Sequence, residues 1–163
     1  MAEQISLKSG QGKAAAYQEL MPQLHALIGD EKDLIANSAN LIGALKEAFG
    51  YFWIGIYFVK GEAKEELVLG PFQGPPACVR IAFGKGVCGT SWKEKSSIIV
   101  PDVNLFPGHI ACSPHSRSEI VVPVIKNGVV KGVIDIDSTE LSAFDETDRQ
   151  YLEEVAEIIS RFI

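Results

Sequence analysis

Cysteine is scarce in this chain, and an excess of basic charge and long apolar runs are both missing. The three cysteines, Cys78, Cys88 and Cys112, stand ten and twenty-four residues apart. With no Cys-x-x-Cys among them a zinc ribbon is not expected. A site of three cysteines and a histidine stays open on ligand types alone. Lys and Arg number 15 against 21 Asp and Glu, for a net charge of −6. That balance argues against nucleic acid as a partner, because phosphate binding wants a basic face. No stretch approaches the roughly 18 apolar residues needed to span a bilayer, and the first thirty residues hold no signal-peptide core. The expectation is a soluble, cytoplasmic protein with no membrane partner. In that reducing compartment a disulfide is usually transient and catalytic, although three buried, inert thiols would satisfy the same composition.

What is present suits one domain. The 163 residues are 47% hydrophobic and 22% charged, an ordinary globular balance. Residues 1–10 read as a flexible N-terminus and residues 11–163 as a single domain. A helix is expected over 11–28, with Tyr17, Leu20, Leu24 and Leu27 on one face. Asp30 and Asp33 can cap a second helix, whose stripe is Leu34, Ile35, Leu41, Ile42, Leu45, Ala48 and Phe49. The period then changes. "YFWIGIYFV", residues 51–59, reads as a buried strand, "GEAKEE" as a turn, and "LVLGPFQG" and "ACVRIAF" as two more strands. "GKGVCGTSWKEK" leads into a short helix and "SSIIVP" is another strand. "EIVVPVIKNGVVKGVIDID" is two strands around Asn127-Gly128, a strong hairpin signal. Asp145 caps a last helix carrying Leu152, Val155, Ile158, Ile159 and Phe162. Helices flanking antiparallel strands make the class α+β. Apolar stripes on both terminal helices, with one small sheet to cover them, point to a homodimer.

Three segments carry residues that packing alone does not explain. "FPGHIACSPHSRSEIVVPV", residues 106–124, puts Cys112 in an aperiodic run broken by Pro107, Gly108 and Pro114, with His109, His115 and Arg117 nearby. Loops carry function more often than packing, and a positive neighbour favours the nucleophilic thiolate. Gly84-x-Gly86-x-x-Gly89, around Cys88, is a weak phosphate fingerprint with no βαβ unit around it. It fits a tight turn into a helix whose free N–H groups suit a small anion such as a carboxylate. Asp135 and Asp137 share one face of a strand. There they repel each other, unless that face meets water or holds a cation.

These segments together resemble the free methionine-(R)-sulfoxide reductases, a family built on a single GAF domain. The resemblance rests on "GPFQG", "GKGVCG", "VPDVN", "FPGHIACS", "SEIVVP" and "GVIDIDS", with all three cysteines in register, and covers nearly all of residues 13–163. It implies a six-stranded antiparallel sheet with helices on one face and a loop-covered pocket on the other. It also implies a dimer through the terminal helices and reduction of the free amino acid, with no cofactor and thioredoxin as reductant. Carried over by position, Cys112 is the sulfoxide-attacking cysteine, Cys78 its disulfide partner, and Cys88 a third pocket cysteine. Glu119, Asp135 and Asp137 are the substrate carboxylates, and Trp53 and Tyr57 the aromatic methyl pocket.

The chemistry accounts for a cysteine in a loop. A thiolate must reach the sulfoxide sulfur, and a second thiol must then reach the sulfenic acid, so Cys112 needs mobility. The departing oxygen needs a proton, which a carboxylic acid kept neutral by burial and like charges can supply. Glu119, Asp135 and Asp137 are all candidates, with Glu119 slightly ahead. Their convergence is not automatic. An ideal two-residue turn at Asn127-Gly128 pairs Glu119 with Ile136 and puts it on the face opposite Asp135 and Asp137. A β-bulge restores the register, and Pro123, which cannot donate to the ladder, marks a place for it; a longer turn would serve as well. Two rival readings share the GAF architecture: a non-catalytic small-ligand sensor module, and a domain that attaches a bilin through a cysteine.

Overall fold

The computed structural model of the chain describes residues 5–61 and 66–163. The expected turn over 61–66 lies mostly outside them. In chain order the elements are α1 (Lys13–Ile28), α2 (Leu34–Phe49), β1 (Trp53–Lys60), β2 (Glu66–Gln73) and β3 (Arg80–Ala82). They continue with α3 (Gly86–Glu94), β4 (Ile98–Val100), a 3-10 turn (Val103–Leu105), β5 (Ser118–Lys126), β6 (Val129–Ser138) and α4 (Glu146–Ser160). The strands form one six-stranded sheet in the order β3-β2-β1-β6-β5-β4, with every pair antiparallel. The first and last strands in the chain, β1 and β6, are thus neighbours in the middle of the sheet, and β3 and β4 are its edges.

The helix ends follow local chemistry. Asp33 accepts a hydrogen bond from the Ala36 amide and starts α2. Asp145 and Asp148 form a reciprocal capping box at the start of α4, satisfying amides that a helix start leaves orphaned. Lys13 reaches both carboxylates from the first turn of α1, and the Tyr17 hydroxyl donates to Asp148 Oδ1 at 2.9 Å. α1, α2 and α4 cover one face of the sheet. Tyr17, Leu20, Leu24, Leu41, Leu45, Leu152 and Val155 join Ile54, Ile56, Ile120, Ile134 and Ile136 in a continuous apolar core. The stripes that suggested a dimer are therefore largely covered within one chain, leaving Ala14, Ala15, Gln18, Pro22 and His25 outward on α1. Ile35, expected in the α2 stripe, is exposed instead. Residues 5–10 have no regular structure, yet they are tied to α1: the Ser6 amide donates to Gln23 Oε1 and the Lys8 amide to Glu19 Oε2.

One detail departs from the expected architecture. α3 lies on the other face of the sheet, because six of its nine residues are buried there in a second core with Trp53, Tyr57, Val100, Val121 and Val133. That side is covered by a helix as well as by loops.

The β5–β6 ladder decides which side chains share this second face. Asn127 and Gly128 both have positive φ, 52° and 75°, as a tight two-residue hairpin requires. Lys126 pairs with Val129 and Ile125 with Val130, but Val124 then pairs with Gly132. Lys131 is the extra residue of a β-bulge. From there Glu119 opposes Asp137 rather than Ile136. The expected bulge thus exists, one pair nearer the turn than Pro123. Gly132 permits the close approach beside it, since a Cβ there would lie 2.5 Å from the Tyr57 carbonyl oxygen.

Candidate active site

The register lays out the floor of a pocket between the sheet, α3 and the Cys112 loop. One cross-strand row runs Trp53 (β1), Asp137 (β6), Glu119 (β5); the next runs Gly55, Asp135, Val121. Gly55 is where the aromatic wall folds down: a Cβ there would meet the Trp53 ring at 2.3 Å. The indole stacks on Phe72 at 5.6 Å and on Tyr57 at 6.2 Å between centroids. Both aromatic polar atoms are used to hold the opposite rim. Trp53 Nε1 donates to the Pro75 carbonyl, and the Tyr57 hydroxyl donates to the Cys78 carbonyl, each at 3.0 Å. The floor therefore positions the segment that carries Cys78.

Cys78 is bonded to Cys112, with Cα atoms 5.5 Å apart, inside the range a disulfide spans without strain on the backbone. Cys112 is exposed and lines the pocket. Its loop closes at the base, where the Val103 amide donates to the Arg117 carbonyl and the Arg117 amide to the Ser138 carbonyl. Cys88, on the first turn of α3, is buried and free. With Cys78 and Cys112 joined, a metal site of three thiolates and a histidine is not available.

The three carboxyl groups meet beneath this rim, and burial sets their charge. Glu119 is 5% exposed and Asp135 7%. Desolvation, with the Asp137 charge adding to it, pushes Glu119 up to about 8, against an opposing hydrogen bond from Asp135. Desolvation pushes Asp137 to about 6, held back by a Ser116 hydrogen bond and by His109. Asp135 is driven well above the usual carboxylate range by burial and by both neighbours. It shares hydrogen bonds with Cys88 and Glu119, yet its Oδ1 has no partner. The Cys88 thiol is raised too, by burial first and then by the charges of Asp135 and Glu119. Near neutral pH the pocket thus holds protonated Glu119 and Asp135 beside a largely ionised Asp137. Such an arrangement can donate a proton to an oxygen and attract a cation.

His109 was legible only as a loop residue beside Cys112. Its side chain instead turns inward, 14% exposed, with Nε2 3.4 Å from Glu119 Oε2. Burial lowers its pKa despite the pull of Asp137, so this contact joins two neutral groups at neutral pH. The signal was "FPGH". Pro107 and Gly108, with φ +74° at Gly108 and the His109 amide donating to the Phe106 carbonyl, make a type II turn. His115 is exposed and packs edge-on against Phe52, and Arg117 is exposed. α3 begins without a side-chain cap, and Lys85, Gly86, Val87 and Cys88 line the pocket. Of the residues singled out in the sequence, Trp53, Tyr57, Cys88, Cys112, Glu119, Asp135 and Asp137 all reach one pocket, and Cys78 reaches it through its bond.

The sequence profile of the GAF domain matches residues 30–163. GAF domain-containing protein A of Dictyostelium discoideum is 50% identical over 98% of this chain and 99% of that protein. The free methionine-R-sulfoxide reductase of Saccharomyces cerevisiae is 39% identical over 98% of this chain and 92% of that enzyme. The chain belongs to the free methionine-R-sulfoxide reductase family. The family's architecture is matched as closely as its sequence. The crystal structure of free methionine-R-sulfoxide reductase from Neisseria meningitidis, in complex with its substrate, is 53% identical and superposes with a TM-score of 0.91. It covers 94% of this chain, and the match takes in 92% of that one.

Proposed function

We propose that this protein reduces free methionine-(R)-sulfoxide to methionine, with Cys112 as nucleophile and Cys78 as resolving cysteine. One observation carries the reading: a Cys78–Cys112 disulfide joins the rim of a pocket floored by two buried carboxyl groups, Glu119 and Asp135, and the half-buried Asp137. The disulfide is the product expected after one turnover. In the forward direction the Cys112 thiolate attacks the sulfoxide sulfur. The sulfur–oxygen bond breaks as Glu119, kept protonated by burial, gives its proton to the departing oxygen. The hydroxyl so formed bonds to Cys112 Sγ as the new sulfur–sulfur bond breaks, so that methionine leaves and Cys112 is left as the sulfenic acid. The Cys78 thiol displaces the hydroxyl as water and forms the disulfide. An external dithiol of the thioredoxin type then takes the oxidising equivalents and restores both thiols.

Selectivity for the free amino acid follows from charge. The unpartnered Asp135 Oδ1 and ionised Asp137 suit the substrate ammonium. The uncapped first turn of α3 suits its carboxylate. Trp53 and Tyr57 enclose the S-methyl group, a sulfur–aromatic contact worth about 0.3–1.5 kcal/mol. The same reading includes a cytoplasmic setting and a homodimer through the outer faces of α1 and α4, which a monomer mass by light scattering at micromolar concentration would remove.

The deciding experiment supplies reductant and the separate R and S diastereomers of methionine sulfoxide. Oxidation of reductant with the R form alone is expected. The N-acetyl, C-amide form loses both charges, and unpaired buried groups cost about 1–3 kcal/mol each, so it should fall roughly a hundredfold in kcat/KM. No reductant consumption with either diastereomer would leave the ligand-sensing GAF reading in its place.

A further inference from the structure

The reaction proposed above gives Cys88 no task, yet it is buried among carboxyl groups that share their polar atoms with it. Cys88 Sγ, a Glu119 oxygen and an Asp135 oxygen all lie within 4.8 Å of one another, contributed by α3, β5 and β6. Asp135 is more than nine-tenths buried, and its Oδ1 meets no donor. Ionising these three groups together out of water is costly unless a cation joins them. His109 adds a nitrogen from the loop. Its Nε2 stands 3.4 Å from Glu119 Oε2, longer than a well-formed hydrogen bond. It is close to the edge of a tetrahedron of N and O ligands around zinc, roughly 3.4 Å for bonds of about 2.1 Å.

We propose that Cys88, Glu119 and Asp135 form a binding site for a borderline divalent cation of the zinc type, with His109, beside Glu119, or a water as the fourth ligand. The donors that converge are one sulfur and two oxygens, with a nitrogen beside Glu119. That mixture suits zinc or cobalt and is wrong for magnesium or calcium, which take six or more oxygens. Binding converts the Cys88 thiol to thiolate, and its proton leaves to solvent. The sulfur and oxygen donors, within 4.8 Å of one another, draw together on binding to an edge of roughly 3.6 Å. The cation and a substrate ammonium address the same carboxyl groups, so they exclude each other. A metal ion of this class is then a competitive inhibitor whose affinity depends on a thiol the ammonium does not need.

The test uses the full chain with the Cys78–Cys112 disulfide formed, so that Cys88 is the free thiol. Cobalt(II) is titrated and the absorption spectrum recorded. One cobalt per chain is expected, with a thiolate-to-cobalt charge-transfer band in the near ultraviolet and the strong visible bands of four-coordinate cobalt. Zinc should bleach both, and a hundredfold excess of magnesium should bleach neither. Cys88→Ser should abolish the charge-transfer band, and Asp135→Asn should weaken cobalt binding at least tenfold. Absence of the band in the unmutated protein, its survival in Cys88→Ser, or unchanged affinity in Asp135→Asn would each overturn the site. Asp135→Asn decides the matter even where Cys88→Ser does not fold. A final arm rests on the proposed function: free methionine-(R)-sulfoxide should displace the cobalt. If the protein turns the sulfoxide over while the band is indifferent to it, the shared site is wrong. If there is no turnover but the bands appear as described, the reductase reading fails and the metal site stands.

Discussion

The two faces of the sheet are built from alternate residues of the same strands and obey opposite rules. Ile54, Ile56, Ile120, Ile134 and Ile136 point to the helices and are fully or almost fully buried in apolar contact. Their neighbours in sequence, Trp53, Tyr57, Glu119, Asp135 and Asp137, point the other way and line the pocket. The helix face buries hydrocarbon, which stabilises the fold by roughly 25 cal/mol per Å². The pocket face buries carboxyl groups, which costs stability unless they are protonated or meet a cation. The helix face thus supplies much of the stability with which the other holds its acids away from water.

Changes on each face should separate stability from chemistry. The largest effect belongs to Cys112→Ser. It should lower turnover more than a thousandfold while leaving substrate binding and the melting temperature of the reduced protein nearly unchanged; appreciable residual turnover would remove Cys112 as nucleophile. Ile134→Ala, on the helix face, should do the reverse. It should cost about 2–5 kcal/mol in denaturant unfolding yet retain kcat/KM below its melting range, and a loss of activity in the folded variant would mean that the faces are not separable.

A smaller effect is the dependence on pH, measured with a chelator present. In the proposed reaction Asp137 is ionised to hold the substrate ammonium, and its affinity for a proton is raised to about 6. Activity is therefore lost as pH falls through about 6. In the same proposal Glu119 acts as the acid only while protonated, up to about 8, so activity is lost as pH rises through about 8. A bell-shaped profile of kcat/KM between these limits is expected, and Asp137→Asn should flatten its acid limb while raising KM; a flat profile in the unmutated enzyme would contradict both roles.

The smallest effect is on stability. The folded-state proton affinity of Glu119 is raised from 4.5 to about 8, so the folded chain binds a proton that the unfolded chain releases. Its contribution is fully present below pH 4.5 and is lost as pH rises through about 8. Glu119→Gln should accordingly raise the melting temperature at pH 8.5 by a few degrees, about 2–4 °C per kcal/mol for a chain of this size, and not at pH 5. An equal shift at both pH values would show that the side chain is neutral throughout.

Most of the elements were legible because their causes are local. Asp33 and Asp145 cap helices where the sequence places them, and Asn127-Gly128 turns the hairpin where only residues tolerant of positive φ fit. The alternation of Ile134, Asp135, Ile136 and Asp137 is itself a statement that two faces differ. The Cys78–Cys112 pairing was legible only through resemblance, since three cysteines allow three pairings and spacing does not choose among them. His109 was missed as a pocket residue because a turn's direction is not visible until the strands beneath it are in place.

By itself the sequence determined the order and type of the elements, the turn at Asn127-Gly128 and the apolar stripes, all of which depend on neighbours a few residues apart. It also required that Glu119 and Asp137 change their relation if they were to share a face. Only the tertiary structure decided that they do, through one extra residue, Lys131, in the ladder; register depends on both strands at once. It likewise decided that α3 covers the pocket side and that His109 turns in toward Glu119. The protonation of Glu119 belongs to the same class. A carboxyl group keeps its proton near pH 8 only when segments distant in sequence remove the water around it, and no residue next to it in the chain can do that alone.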